Sequence, residues 1–215
     1  LERSFSVWAD EMRDIASAPP SEQTQKLNDF IAARFQSGIT DREVELSDAL
    51  RRYSLGSMQK YRTRYLLAKL TQFVEMAYQG LTSPGSLEPF MTLEIEHILP
   101  DTPTPELTTS FAQANPDAPY DEYKARLGNL TLLEKPINVV ASNGFFEAKK
   151  PEYRNCGNYL TRSLVELANV GKNSSITRIN TRLRSFDTWG AKSIDERQAI
   201  LIELSREIWK ASPLA

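Results

Sequence analysis

Apolar residues recur at three- and four-residue steps through the first ninety positions, the spacing of one face of a helix. Prolines in Ala18-Pro19-Pro20-Ser21 are expected to separate the first two helices, and Gly38 to end the second. A third helix is predicted over roughly 57–79. Its aromatic residues are interpreted as core residues rather than as a base-stacking surface, namely Tyr61, Tyr65 and Tyr78.

The pattern changes after residue 90. Alternating apolar and polar residues over 91–96 predict a strand, and the apolar run 130–133 predicts a second one. Five of the twelve prolines lie within 100–119, so we expect a long irregular loop between the strands, a type of loop that is usually functional. A helix is predicted over 138–150, interrupted at Gly144.

Helical spacing then returns, and Ser193-x-x-Glu196 predicts a capping box at the start of the final helix. The sequence therefore predicts a mainly α fold with a small two-stranded core embedded in helices. Three regions are expected: a helical connector over 1–90, the core over 91–150, and C-terminal helices over 151–215 packed on that core.

Charge adds a second kind of information. The net charge of −2 argues mildly against a dedicated nucleic-acid binder. However, the segment 51–69 contains six basic residues and no acidic one, and such segregation matters more to a polyanionic partner than the total charge. A solvated helix face is the plainer alternative. We expect DNA contacts from three arginines of this segment: Arg51, Arg62 and Arg64.

The chain has one cysteine and one histidine, which excludes a four-ligand structural zinc site and a disulfide framework. A Cys156–His97 dyad is conceivable, but most lone cysteines are inert packing residues. No apolar run approaches the about 20 residues that span a bilayer, and no signal core is present. We therefore expect a cytoplasmic protein without a membrane partner and, because the chain begins at Leu1 without an initiator Met, a fragment of a longer one.

Candidate chemistry is concentrated around the only histidine, in Glu94-Ile95-Glu96-His97. Glu94 and Glu96 are expected on one face of the strand, and His97 on the other face or at the strand's end. A carboxylate is a hard ligand for Mg²⁺, and a neutral imidazole can take a proton from water. Glu94 itself is expected to face solvent or a basic neighbour. Further oxygen ligands are sought among three asparagines: Asn129, Asn138 and Asn143.

Several segments together resemble an HNH (ββα-metal) endonuclease. They are Glu96-His97-Ile98-Leu99-Pro100, Leu127-Gly128-Asn129-Leu130-Thr131-Leu132-Leu133, Asn138, and Ala141-Ser142-Asn143-x-x-Phe146-x-x-Lys149-Lys150. Within that superfamily the chain looks most like the C-terminal nuclease domain of GmrSD-type modification-dependent restriction enzymes. The resemblance extends from roughly Thr92 to Trp209, and the residues before it match only in being helical.

The resemblance implies a role for each matched residue. His97 corresponds to the general base, and Glu96 and Asn138 to the ligands of Mg²⁺ (or Mn²⁺). Asn129 corresponds to the first asparagine of the catalytic motif, although an Asx-type role in fixing the loop is the alternative. Phosphate contacts are expected from the basic residues around the end of the motif: Lys149, Lys150 and Arg154.

The implied activity is metal-dependent hydrolysis of DNA by a restriction and antiviral-defence protein. One site cuts one strand, so nicking is expected, and a double-strand break would require a pair of sites, such as a homo-oligomer would provide. Recognition of modified DNA is expected in an N-terminal, nucleotide-hydrolysing sensor domain whose state residues 1–90 transmit. Two alternatives stay open, a nuclease that acts on RNA and a non-catalytic helical DNA-binding or adaptor module.

Overall fold

The computed structural model shows a mainly helical protein with one small two-stranded antiparallel sheet in its described part. Internal contacts divide the chain into two compact units, 1–48 with 209–215, and 49–208. The boundaries predicted from the sequence, at residues 90 and 150, separate functional regions rather than compact units, and they stay a prediction. No described helix is both long enough and apolar enough to cross a membrane. The residues described are 2–54, 56–141, 143–169 and 174–210.

The first unit is helical, as its apolar spacing predicts. Its elements are α1 (Glu2–Ser17), α2 (Pro20–Ile31), a π-helical turn (Ala32–Gln36) and most of α3 (Ser37–Arg51). Ring contacts from Trp8 to Phe5 and Phe35 connect α1 with the π-helical turn. The helix end expected at Gly38 is wrong, because the backbone there stays helical. A glycine ends a helix where it takes a left-handed conformation.

The second unit carries the sheet and the helices around it. Its core is built mainly from leucines of one long helix, both strand regions and the final helix. In chain order its elements are α4 (Lys60–Gln79), α5 (Glu88–Met91), β1 (Glu94–His97), α6 (Pro105–Ala114), α7 (Tyr120–Lys124), a 3-10 turn (Leu127–Asn129), β2 (Leu130–Leu133), α8 (Lys135–Ala141), α9 (Phe146–Asn155), α10 (Tyr159–Arg162), α11 (Ser174–Asn180) and α12 (Ala191–Trp209).

Helix α4 confirms the third predicted helix and ends at Gly80, whose φ of +71° is left-handed. The interpretation of its tyrosines as core is wrong for two of the three, since Tyr61 is 60% and Tyr65 45% exposed. These two lie on the side of α4 opposite its buried stripe. Tyr78 is partly buried and stacks on Tyr159, with 4.1 Å between ring centroids. The name buried stripe is used for the buried residues on the side opposite Tyr61 and Tyr65: Thr63, Leu66, Leu67, Leu70 and Val74.

The two predicted strands form one antiparallel pair. β2 has the predicted bounds, whereas β1 begins three residues later than expected because Met91 belongs to α5. Glu94 pairs with Leu133, and His97 pairs with Leu130 at the other end of the ladder. Every residue of β2 is buried. His97 is therefore at the last ladder position of β1, where the chain leaves the sheet.

The segment predicted as an irregular loop over 100–119 contains helix α6. Thr104 caps that helix by accepting a hydrogen bond from the backbone N–H of Leu107, at 3.3 Å. Pro105 occupies the first turn, where proline is compatible with a helix. Leu107 and Phe111 are buried against the rest of the unit. The expectation is therefore wrong, because prolines mark a helix start here as well as a loop.

The final helix begins two residues before the position that the capping box predicts. The side-chain oxygen of Asn115 accepts the backbone N–H of Ala191 at 3.0 Å, so a distant loop supplies the cap. Ser193 donates instead to the carbonyl of Thr188. The predicted interruption near Gly144 is confirmed, since α8 ends before it and α9 begins after it.

Gly128 lies where α12 passes directly over the turn that precedes β2. A Cβ atom added at Gly128 would lie 2.1 Å from the backbone oxygen of Ile194 and 3.0 Å from two atoms of Gln198. Two of these three atoms are backbone, which cannot turn away as a flexible side chain can.

We expect Gly128→Ala to lower the free energy of unfolding by about 2 kcal/mol or more, because the clash forces α12 away from the turn. The matched control is Gly85→Ala, since nothing lies within 4 Å of a Cβ at Gly85. Urea denaturation measures both. Equal stability of the two variants would contradict this packing.

Candidate functional site

Glu96 points into the protein from β1. Its carboxylate oxygen Oε1 accepts hydrogen bonds from the ammonium of Lys149 at 2.7 Å and from the hydroxyl of Tyr153 at 2.8 Å. Both donors come from α9, which covers this face of the strand. The residue is only 6% exposed. A buried carboxylate requires partners of this kind, because the loss of its hydration costs several kcal/mol.

Lys149 is buried, so the expectation that it contacts a DNA phosphate is wrong. Its side chain is 1% exposed. Its ammonium also donates to the backbone carbonyl of His97, at 2.8 Å. Burial lowers the pKa of Lys149, and the charge of Glu96 opposes that effect. The lysine therefore joins α9 to the end of β1, from inside the protein.

The two predicted metal ligands have different hydrogen-bond partners. Asn138, on α8, donates its side-chain amide to Oε2 of Glu94, at 3.1 Å. Glu94 is half-buried against this amide rather than facing open solvent or a basic neighbour. Glu96 is instead occupied by the Lys149 ammonium, a cation already in the place expected for Mg²⁺. Among the described residues, no three His, Cys, Asp or Glu side chains form a group that could hold a metal ion.

His97 is partly exposed at the end of β1, on the face opposite Glu96. Its Nε2 atom is buried and has no hydrogen-bond partner in the described part of the chain. Burial lowers the pKa of His97 below its ordinary value of 6.5, against the opposing charges of Asp101 and Glu96. The imidazole is therefore neutral at neutral pH and chemically able to accept a proton. A buried polar atom without a partner is a feature that calls for a functional explanation.

Asn129 holds the chain that follows His97. Its amide group donates to the carbonyls of Leu99 (2.8 Å) and Lys124 (2.9 Å). Its carbonyl accepts the N–H of Leu99 at 2.6 Å and the indole N–H of Trp189 at 3.0 Å. All four hydrogen-bonding positions of this fully buried side chain are used. Asn129 can therefore position the strand end, but no part of its side chain is available to a substrate.

Helix α12 holds the same segment through two residues that were not among the predicted site residues. The guanidinium of Arg197 donates to the carbonyls of Gly128 at 2.7 Å and Leu130 at 2.6 Å. Gln198 accepts the N–H of Gly128 at 3.1 Å and donates to the carbonyl of Arg51 at 2.8 Å. Burial lowers the pKa of Arg197 to about 9, so it is still cationic at neutral pH.

One sequence signal could have identified Arg197. It lies three residues after Ile194 and four before Leu201, both of which are buried. A charged residue in the middle of an apolar helical stripe predicts a buried cation with specific partners. The partners themselves are not predictable from that spacing, since they lie about seventy positions away in the sequence.

The other two basic residues of α9 that were expected to contact phosphate, Lys150 and Arg154, differ in exposure and in ion pairing. Lys150 is 17% exposed and pairs with Glu147 at 2.9 Å. Its ammonium also donates to the carbonyl of Asp187. Arg154 is 50% exposed and only loosely paired, with its Nε 3.8 Å from a Glu166 oxygen. Arg154 is therefore the member of this group that is best placed to meet a phosphate.

Of the three arginines of segment 51–69 that are expected to contact DNA, Arg51 ends α3, and Arg62 and Arg64 lie on α4. Arg51 and Arg62 are exposed, and Arg64 is partly buried. Cys156, by contrast, is buried, and burial raises the pKa of its thiol to about 12. A thiol of this kind stays protonated and is a poor nucleophile.

Comparison with protein families gives a match over residues 40–204 to the GmrSD restriction endonucleases, C-terminal domain. The match runs from within α3 to near the end of α12 and includes the sheet, His97 and Asn129. The chain belongs to this family of restriction endonuclease domains. No significant match to a curated protein or to a solved structure was found.

We expect Asn129→Ala to lower the free energy of unfolding by about 2–4 kcal/mol, because buried partners of Asn129 lose their hydrogen bonds. Asn143→Ala is the matched control, since Asn143 is exposed in a turn. Urea denaturation compares the two. If Asn129→Ala were as stable as the control, the four hydrogen bonds would not hold the strand end.

We expect Lys149→Met to cost about 3–5 kcal/mol, because it leaves the Glu96 carboxylate buried without its ion-pair partner. Lys150→Met should cost no more than about 1 kcal/mol, as for other pairs near the surface. Adding Glu96→Gln should recover much of the Lys149→Met loss. A mild Lys149→Met effect, unchanged by Glu96→Gln, would contradict the buried pair.

Proposed function

We propose that this chain is a nuclease domain that hydrolyses DNA phosphodiesters, with His97 as the general base. The observation that carries the proposal is the state of His97, a neutral imidazole at a strand end, with one buried nitrogen that has no hydrogen-bond partner among the described residues. Membership of a restriction endonuclease family supplies the reaction class. The hydrogen bonds of Asn129 supply the positional control that a general base requires.

We further propose that residues 91–150 form the ββα arrangement of HNH nucleases. The order of elements supports this, because β1 and β2 pair antiparallel and are followed directly by α8 and α9. The proposed base lies on β1, and the helices pack against the opposite side of that strand. His97 itself is partly exposed at the end of β1, and we propose that a DNA strand approaches it there.

In the proposed reaction, His97 takes a proton from a water molecule, and the resulting oxygen nucleophile attacks phosphorus. The bond from phosphorus to the 3′ oxygen then breaks, and that oxygen takes a proton from solvent. The products are a 5′-phosphate and a 3′-hydroxyl. Asn129 acts as a positioning residue, because it holds the backbone of Leu99 two positions after the base. One site of this kind cuts one strand and produces a nick.

A requirement for Mg²⁺ or Mn²⁺ is proposed from the family resemblance. The residues present do not fit the ion in the predicted way, since Glu96 pairs with Lys149 and Asn138 pairs with Glu94. No step of the mechanism above uses the ion.

The metal requirement has its own test, in which EDTA is added to a plasmid-nicking reaction. We expect chelation to abolish nicking and excess Mg²⁺ to restore it. Nicking that continues in EDTA would contradict the metal requirement while leaving the role of His97 intact.

Recognition of modified DNA is proposed to lie in an N-terminal domain of the same full-length protein. The matched family is defined as a C-terminal domain, and the proposed reacting groups address water and phosphate, not base sequence. We propose that this N-terminal domain is a nucleotide-hydrolysing sensor and that residues 1–90 transmit its state to the nuclease domain. Double-strand cleavage would then require two copies.

We expect His97→Ala to lower the rate of plasmid nicking by about 10²–10⁴-fold, the range for loss of a general base. No other histidine in the chain can replace it. The melting temperature should stay close to that of the wild type, and Asn143→Ala, prepared in parallel, controls for contaminating nuclease. Wild-type nicking by pure His97→Ala protein would rule out the proposed base.

A further inference from the structure

The first two turns of α4 carry two exposed aromatic side chains on one face. Tyr61 is 60% exposed and Tyr65 is 45% exposed. Residues four apart are neighbours on a helix surface, about 6 Å apart along its axis. The opposite side of the same turns is buried in the core, so these rings are not needed to hold α4 in place.

Three cationic residues share the first two turns of α4 with these rings, namely Lys60, Arg62 and Arg64. In the described part of the protein, no carboxylate lies within ion-pair distance of Lys60, Arg62 or Arg64, and the segment 51–69 contains no acidic residue. Exposed arginines elsewhere do have such partners, for example Arg184 with Glu196 at 2.8 Å. The name tyrosine–arginine face is used below for Lys60, Tyr61, Arg62, Arg64 and Tyr65.

Contacts within the face keep its groups in order. Arg62 donates from Nε to the hydroxyl of Tyr61 at 3.0 Å, and its guanidinium lies 5.6 Å from the centre of that ring. The Nε of Arg64 is buried and has no partner among the described residues. The face therefore offers exposed aromatic surface together with cationic groups that have no carboxylate partner among the residues that the structure describes.

The face is connected to the candidate site by contacts within the same compact unit. A buried hydrogen bond of 2.8 Å joins Thr63 of α4 to the hydroxyl of Tyr53. The next residue, Ser54, forms a β-bridge with Arg126, three positions before Asn129. A strand bound at the face would thus be held in a defined relation to the chain that positions His97.

We propose that the tyrosine–arginine face binds unpaired bases of single-stranded or locally opened DNA. Tyr61 and Tyr65 stack on the bases, and the cations contact the phosphates. Aromatic side chains can stack on any base, and the phosphates supply negative charge to the cations of the face. This inference rests on the proposed nuclease function and adds that the substrate contains unpaired bases. An acidic protein would match the cations but would leave the stacking function of two exposed rings unused.

The test measures binding without cleavage, in a His97→Ala background with EDTA, by fluorescence anisotropy. Three labelled probes are used: a thymidine oligomer, an abasic oligomer with the same number of phosphates, and a duplex. We expect the thymidine oligomer to bind at least about tenfold more tightly than the abasic one. Tyr61→Ala/Tyr65→Ala should remove that preference and leave abasic affinity unchanged. Lys60→Ala/Arg62→Ala should weaken the binding of both oligomers, whereas the ion-paired control Arg184→Ala should weaken the binding of neither.

Two results would overturn the inference, namely equal binding of the base-containing and abasic oligomers by the His97→Ala protein with an unaltered face, or a preference that survives in the tyrosine variant. If duplex binding persists in either case, and the protein with His97 intact nicks plasmid DNA in the presence of Mg²⁺, the proposed function stands without this face. Polyglutamate serves as a fourth probe, which stands for an acidic protein. If the Lys60→Ala/Arg62→Ala variant loses polyglutamate binding while all its DNA binding is unchanged, the face binds an acidic protein instead. Absence of nicking and of all DNA binding in the wild type would overturn the proposed function as well.

Discussion

The hydrogen bonds of Asn129 are the constraint on which the candidate site depends. One fully buried amide bonds to both backbone groups of Leu99, to the carbonyl of Lys124 and to the indole of Trp189. These partners belong to three separate segments of the chain. The amide therefore fixes the path of the backbone just after His97, and a general base is effective only where its position is fixed.

Two buried cations reinforce this arrangement from opposite sides. Lys149 reaches the carbonyl of His97 from α9, and Arg197 reaches the carbonyls on either side of Asn129 from α12. Burial of a charge is costly, so such groups specify one arrangement of their surroundings more than they add net stability. Both cations bond to backbone carbonyls. The end of β1 and the start of β2 are thus held by side chains from two helices.

Local patterns were enough to predict the elements that carry the site, but not their partners. The spacing of apolar residues predicted α4 and β2, and strand alternation placed Glu96 and His97 on opposite faces, as observed. The pairings of Glu96 with Lys149 and of Asn138 with Glu94 join residues more than forty positions apart. Helical spacing also did not reveal that Tyr61 and Tyr65 lie outside the buried stripe, because aromatic residues occur on both sides of α4.

His97 is the only histidine, so its imidazole signals in an NMR titration are unambiguous. The most direct test of the central claim is to measure that titration and the rate of DNA cleavage over the same pH range. If the neutral imidazole is the base, the rate rises with the neutral fraction, and its midpoint lies at the pKa of His97, below 6.5. A cleavage rate that does not follow the titration of His97 would contradict the account.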